Sequence, residues 1–240
     1  MTSGTTTAPG TDGASARPLD QVVLERTSIP ERVAAVLRSW IAEARLPPGV
    51  RLSEERICAE LAISRNTLRE AFRLLTHERL LLHRLNRGVF VRVLGVEDVE
   101  DLYRVRKLVE PAAVRELRGR PAGLDRVAAA LAEADAAGAR QDWFGLGTAD
   151  LHFHRALTAL AGSPRVDELM DRVLAELRLV FHVVPDLRSF HQRCREENRR
   201  ILALLEAGDG AGAAEALTGC LDSAERELVT AYRERPRASL

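Results

Sequence analysis

The sequence predicts a mainly α-helical chain, in which three N-terminal helices closed by a β-hairpin precede a larger all-α antiparallel helical bundle. Three observations carry this reading. Aromatic residues make up only 4% of the 240 residues, while alanine and leucine abound, and that composition favours helix over sheet. Apolar residues recur at helical spacing along most of the chain. Two short β-like runs fall between Leu80 and Val93, on either side of Asn86-Arg87-Gly88, and a glycine near the turn marks a hairpin.

Each element follows in order. Met1 to Arg17 is largely Thr, Gly, Ala and Ser. With no apolar stretch it is not a signal peptide, and a disordered tail is expected over 1–24. Val33, Val36, Leu37, Trp40, Ile41 and Ala44 give the stripe of a first helix beginning at Ile29, which Pro47-Pro48-Gly49 ends. Ser53 suits the N-cap of a short second helix through Leu61, and Ser64 that of a third running to about His77. In the third helix Leu68, Ala71, Phe72 and Leu75 form one stripe, and Arg65, Asn66, Arg69 and Arg73 lie on the neighbouring exposed face. Only Ala62-Ile63 separates the second and third helices. Helix, helix, tight turn, helix and hairpin is the layout of a winged helix-turn-helix, expected over 25–94.

Charge agrees with this division. The chain is neutral overall. Ile29 to Leu94, however, holds 12 arginines against 7 glutamates, a balance of +5, while Gly95 to Leu240 stands at −4. A basic segment on an acidic body points to a polyanion partner for the first part. Cys58, Cys194 and Cys220 are far apart in sequence with no CxxC pair. That predicts neither a disulfide framework nor a structural zinc site, and fits a reducing cytoplasm. No apolar run approaches a membrane span, so no membrane partner is expected. The expected location is cytoplasmic, associated with the nucleoid.

Leu46-Pro47-Pro48-Gly49, Leu52-Ser53-Glu54-Glu55-Arg56, Ser64-Arg65-Asn66-Thr67-Leu68-Arg69-Glu70-Ala71 and Asn86-Arg87-Gly88-Val89-Phe90-Val91 resemble the DNA-binding domain of the GntR superfamily. The resemblance implies that Arg56, Arg65 and Arg69 contact bases or the nearby backbone. It implies that Asn66 and Thr67, beside the Ser64 cap, hold phosphates, and that the wing tip at Arg87 and Gly88 enters the adjacent minor groove. Two positions depart from the family pattern. Ala62 stands where Gly is common in the tight turn, and Asn66 where Ser or Thr is commoner. An amide at Asn66 can read adenine, which alters sequence preference.

From Glu97 onward the chain reads as about six helices. Gly119-Arg120-Pro121, Gly138, Gly162-Ser163-Pro164, Pro185 and Gly208-Asp209-Gly210 punctuate them, and the run Gly208 to Gly212 reads as a loop. Arg106 lies beside the stripe Leu102, Val105, Val109 and Ala113. Asp150 lies within the stripe Leu146, Phe153, Leu157 and Leu160, with His154 one turn on and His152 directed elsewhere. Asn198 aligns with Cys194, Ile201 and Leu205, and Cys220 with Leu217, Ala224 and Leu228. Four helices therefore aim polar or soft groups inward, where they must satisfy one another, water or a ligand.

Tyr103-Arg104-Val105-Arg106, Leu108-Val109-Glu110, Asp150 to Leu157 and Glu197-Asn198-Arg199-Arg200-Ile201-Leu202 resemble the ligand-binding domain of the FadR-like subfamily, expected over 97–236. The resemblance implies a homodimer that binds a pseudo-palindromic operator and answers to a small organic effector, carboxylate or acyl, held by Arg106, Asp150, His154, Asn198 and Cys220. Many members bind a divalent metal with one Asp and three His. Asp150 and His154 match two of these ligands, but Asn198 and Cys220 replace the others, and an amide and a buried thiol are poor replacements. No cofactor is therefore expected; a metal, were one bound, would rest on Asp150 and His154 with Cys220. Two other classes compete with a ligand-responsive regulator, which is expected to be a repressor. A metal-dependent hydrolase using Asp150 and His154 lacks any G-x-S-x-G, H-E-x-x-H or phosphate loop. A ligand-independent architectural DNA-binding protein would not need inward polar groups.

Overall fold

The computed structural model describes residues 28–43, 45–184 and 186–234. The tail expected over 1–24 lies outside them, as do Ala44 and Pro185. Helix α1 (Ile29–Ala42) opens with a capping box. Ser28 Oγ accepts from the Glu31 amide at 3.4 Å, and the Glu31 carboxylate accepts from the Ser28 amide at 2.6 Å, so two otherwise orphaned donors are satisfied. α1 buries Val33, Ala34, Leu37, Trp40 and Ile41. Val36, expected on the stripe, is exposed, because the buried face is centred one residue round, on Ala34 and Leu37.

α2 (Glu54–Leu61) and α3 (Arg65–His77) start at the two serines read as caps: Ser53 Oγ accepts from the Arg56 amide and Ser64 Oγ from the Thr67 amide. Leu68, Ala71, Phe72 and Leu75 bury the inner face of α3. Ala62, in the turn between α2 and α3, has φ 51° and ψ 46°, the left-handed region. A β-carbon there costs on the order of 1 kcal/mol, which is the physical reason for glycine at this place in related turns. The hairpin consists of β1 (Leu81–Arg84) and β2 (Gly88–Val91), antiparallel, with Leu81 opposite Val91 and Arg84 opposite Gly88. Asn86 (φ 59°) and Gly88 (φ 100°) supply the positive φ that the tight connection requires.

The bundle comprises α4 (Val96–Arg115), α5 (Leu124–Ala139), α6 (Trp143–Ala159), α7 (Pro164–Leu177), a 3₁₀ turn (Val180–Val183), α8 (Leu187–Glu206) and α9 (Gly210–Glu234). α9 lies along α4 and α8, and α5 packs on α6. Two punctuation readings are corrected. Gly138 lies inside the last turn of α5. The run read as a loop divides: Gly208 (φ 76°) is left-handed, but Gly210 to Gly212 form the first turn of α9. Glycine there answers to packing, since a β-carbon on Gly210 would lie 2.5 Å from the Val114 carbonyl oxygen and 2.6 Å from that of Leu117. Asp209 caps the turn, its carboxylate accepting from the Gly212 amide at 2.8 Å.

One buried apolar cluster runs from α1 through the hairpin to α9. Ion pairs reinforce the seam between its two ends. Arg92, just after β2, donates to Glu176 on α7 and to Asp98 on α4, each at 2.6 Å. His182 Nε2 meets the Ile41 carbonyl at 3.0 Å. Among the described residues no helix is long and apolar enough to cross a membrane.

Candidate nucleic-acid interface and buried polar centre

The first surface is built on the N-terminus of α3. Ser64 Oγ accepts from the Thr67 amide at 3.1 Å and shares a hydrogen bond with Thr67 Oγ1 at 2.8 Å, which fixes the start of the helix. Arg65, Asn66 and Arg69 are exposed on it, and Arg56 is exposed on α2. Arg69 holds Glu54 at 3.3 Å, both partly in solvent. An exposed pair of this kind is worth about 0–1 kcal/mol, so Arg69 is free to exchange it for another anion. Arg65 and Gly88 line one cleft of about 450 Å³ together with Arg51 and Glu54, which brings the wing beside the start of α3. Arg87 is exposed at the wing turn. The sequence reading passed over Arg51. Its guanidinium lies against Gly88, where a β-carbon would sit 3.2 Å from its Nε. Its position directly before Leu52-Ser53-Glu54 was the available signal.

The second feature is a dry polar centre inside the bundle. Arg106, Glu110, His154 and Asn198 are each at most 2% exposed and Asp150 8%, so solvent contributes little to satisfying them. Arg106 Nε donates to Glu110 Oε1 at 2.5 Å, and His154 Nδ1 lies 2.7 Å from Glu110 Oε2. An ionised carboxylate only accepts, so His154 carries its proton on Nδ1. Asn198 Nδ2 donates to Asp150 Oδ1 at 2.8 Å. Arg106 also stacks on Tyr103, 4.9 Å from the ring centre. Burial pushes the Glu110 carboxyl up, but Arg106 and then His154 more than offset this and hold it at about 2.

Three atoms of this region have no hydrogen-bond partner among the described residues: Arg106 Nη2, Asn198 Oδ1 and His191 Nδ1. The structure thus brings together four of the five residues expected to meet a ligand, with Glu110 as the hub. Cys220 makes no hydrogen bond to them among the described residues, although it lies near enough for the Asp150 carboxylate to act on its thiol. With Cys194 it lines an open groove of about 640 Å³ between α8 and α9, which Arg106, Asp150, His154 and Asn198 do not line. His191, 1% exposed, was missed by sequence reading. Its spacing from Cys194 and Asn198, three and seven residues, was the helical signal that pointed to it.

These residues do not suit a divalent metal. Asn198 turns an N–H toward Asp150, which a cation would repel. Burial, and then the Asp150 carboxylate, push the Cys220 thiol up to about 12, while a metal-bound thiol must lose its proton. Among the described residues no group of three or more His, Cys, Asp or Glu is placed to hold a metal ion.

Two family models match the chain: the gntR family of bacterial regulatory proteins over residues 29–91 and the FCD domain over 101–223. A solved GntR regulator from Rhodococcus sp. RHA1 is 48% identical, with a TM-score of 0.81 over 85% of this chain and 99% of that one. The Nta operon transcriptional regulator of Aminobacter aminovorans is 44% identical over 68 residues, 28% of this chain and 32% of that protein, so the likeness spans about a third of that relative. The galactonate operon transcriptional repressor of Escherichia coli K12 is 26% identical over 220 residues, 82% of this chain and 96% of the relative. With a DNA-binding winged helix-turn-helix ahead of an FCD effector domain, this chain belongs to the GntR family, in its FadR-like branch, and is a transcriptional regulator rather than an enzyme.

Proposed function

We propose that the protein is a cytoplasmic, nucleoid-associated repressor that binds a pseudo-palindromic operator as a homodimer and is released by a small hydroxylated carboxylate bound within the bundle. In this reading residues 25–94 form the DNA-binding head and 97–236 the effector and dimerisation domain. α3 enters the major groove. Arg56, Arg65 and Arg69 reach bases or adjacent backbone, Ser64, Asn66 and Thr67 hold phosphates, and Arg87 and Gly88 enter the minor groove. One recognition helix per chain reads few bases, so two heads are needed.

The observation that carries the effector half is the set of orphaned polar atoms around Arg106. A buried donor without a partner costs about 1–3 kcal/mol, and a ligand carboxylate meeting Arg106 Nη2 removes that cost. Glu110 already occupies Nε, so the ligand takes the outer edge of the fork. Asp150 and the free Asn198 carbonyl are acceptors, suited to hydroxyl groups on the same ligand. Cys220 and the α8–α9 groove offer the route inward. The name of the galactonate operon repressor supports a sugar acid. Closing the bundle around the ligand would reposition the two heads.

The test titrates aldonates (galactonate, gluconate and their neutral aldoses) against a protein–operator complex, using wild type and Arg106→Gln. Wild type is expected to release DNA with an aldonate and not with the aldose. Arg106→Gln is expected to bind operator normally and to need at least tenfold more aldonate. A normal response from Arg106→Gln would make Arg106 purely structural and end this reading of the site.

A further inference from the structure

The cleft between the DNA-binding head and the bundle is charged in an unbalanced way. It has a volume of about 390 Å³ and is walled by Arg38 and Glu78 from the head, by Arg155 from α6, by Asp171 and Arg172 from α7, and by Arg178 at the C-terminal end of α7. Its two acids are already engaged. Arg38 grips Glu78 with two parallel bonds, Nε at 2.9 Å and Nη2 at 2.8 Å. Arg155 pairs with Asp171, donating from Nη2 to Oδ2 at 2.7 Å with its Nε 2.7 Å from Oδ1. Arg172 and Arg178 have no carboxylate within ion-pair distance among the described residues, which leaves the cleft with two uncompensated positive charges.

Arg178 is the more telling of the two. It is half-buried, and among the described residues its guanidinium has one hydrogen bond, from Nη1 to the neutral Thr148 hydroxyl at 3.1 Å. Burial, and then the cation on Arg38, lower its proton affinity. A guanidinium has five donors, and a half-buried one facing another arginine gains nothing for folding from its charge. Hydrophobic packing of α7 does not need it either, since Val173, Leu174 and Leu177 supply the buried face.

We propose that this cleft is a binding site for a small dianion, a phosphate or phosphoryl group, seated between Arg172 and Arg178 and facing Arg38. Planar guanidinium forks match tetrahedral oxyanions bidentately, and two free positive charges balance one dianion. Arg38 belongs to α1 of the head and Arg178 ends α7 of the bundle, so an anion between them turns a repulsion across the seam into a bridge. Occupancy would then hold the head in one placement and change operator affinity, with the reciprocal effect of operator on anion affinity. The site is separate from the Arg106 centre and does not rest on the sugar-acid reading.

The experiment is a thermal unfolding series on the full-length protein with inorganic phosphate, compared with sodium chloride at matched ionic strength. A second arm uses a hexose phosphate, which distinguishes free phosphate from a phosphorylated metabolite by which of the two binds more tightly. At ten times its dissociation constant, phosphate is expected to raise Tm by about 3 °C or more above the chloride control. Arg172→Gln, at an exposed position that does not endanger folding, and Arg178→Gln are each expected to reduce that difference at least threefold. Arg65→Ala with Arg69→Ala is expected to leave it intact, which separates this cleft from the DNA face. Equal shifts in phosphate and chloride would overturn the proposal. So would a phosphate effect that survives in Arg172→Gln, or one lost only with the α3 arginines.

Discussion

Glu110 is the residue on which the buried centre turns, and Glu110→Gln tests that directly. The side chain is fully buried and joins Arg106 to His154. Its carboxyl falls from an ordinary 4.5 to about 2, burial being outweighed by Arg106 and His154. At about 1.4 kcal/mol per tenfold change in proton affinity, that corresponds to on the order of 3 kcal/mol. The folded-state value is depressed, so this stability is fully present above pH 4.5 and is lost as pH falls from there toward 2. Glutamine keeps the shape but leaves Arg106 without its counter-charge, a change that costs about 3–5 kcal/mol in other buried pairs. Urea unfolding at fixed protein concentration should show Glu110→Gln less stable by about 3 kcal/mol at pH 7, with the gap shrinking to about 1 kcal/mol near pH 3. Replacing both members, Arg106→Met with Glu110→Leu, should restore most of the loss. A Glu110→Gln variant within about 0.5 kcal/mol of wild type at pH 7, with no narrowing on acidification, would refute the reasoning, because the pair would then not be what holds Arg106 inside.

Two further outcomes follow from the same geometry. Arg65→Ala and Arg69→Ala should each weaken operator binding by about 1–3 kcal/mol and relax base preference, while Arg115→Ala, exposed on α4, should not; equal losses on operator and random DNA would mean that both arginines touch only phosphates. Protein purified without chelators should carry far less than one zinc, nickel or manganese per chain by elemental analysis, given the Asn198 amide facing Asp150; a stoichiometric metal lost in His154→Ala would contradict this.

Much of the head was legible because its signals are local. Ser53 and Ser64 announce their helices through bonds to amides three residues on, and the hairpin is marked by the turn residues themselves. Capping chemistry involves neighbours in sequence, so sequence suffices. Where the reading failed, the deciding partner was distant. Gly210 looks like a loop glycine until the carbonyls of Val114 and Leu117 are brought against it. Periodicity placed Arg106, Asp150, His154 and Asn198 inside the bundle, but not who binds whom. Arg106 and Glu110 stand one turn apart on α4, a local pair, but that Glu110 also takes His154 depends on how α4 and α6 cross. Cys220 shares the inward stripe of α9 yet faces the α8–α9 groove, a distinction of rotation that spacing alone does not resolve. The unpaired arginines at the seam are invisible in sequence, since one charged surface looks like another until its acids are assigned.

Whether α3 reads DNA in pairs is decided by hydroxyl-radical footprinting of the full-length protein on genomic fragments that it selects. The predicted result is two protected half-sites related by a two-fold axis, about one helical turn apart from centre to centre, with both protections lost in Arg65→Ala. A single asymmetric protection, or a symmetric one that persists unchanged in Arg65→Ala, would contradict it.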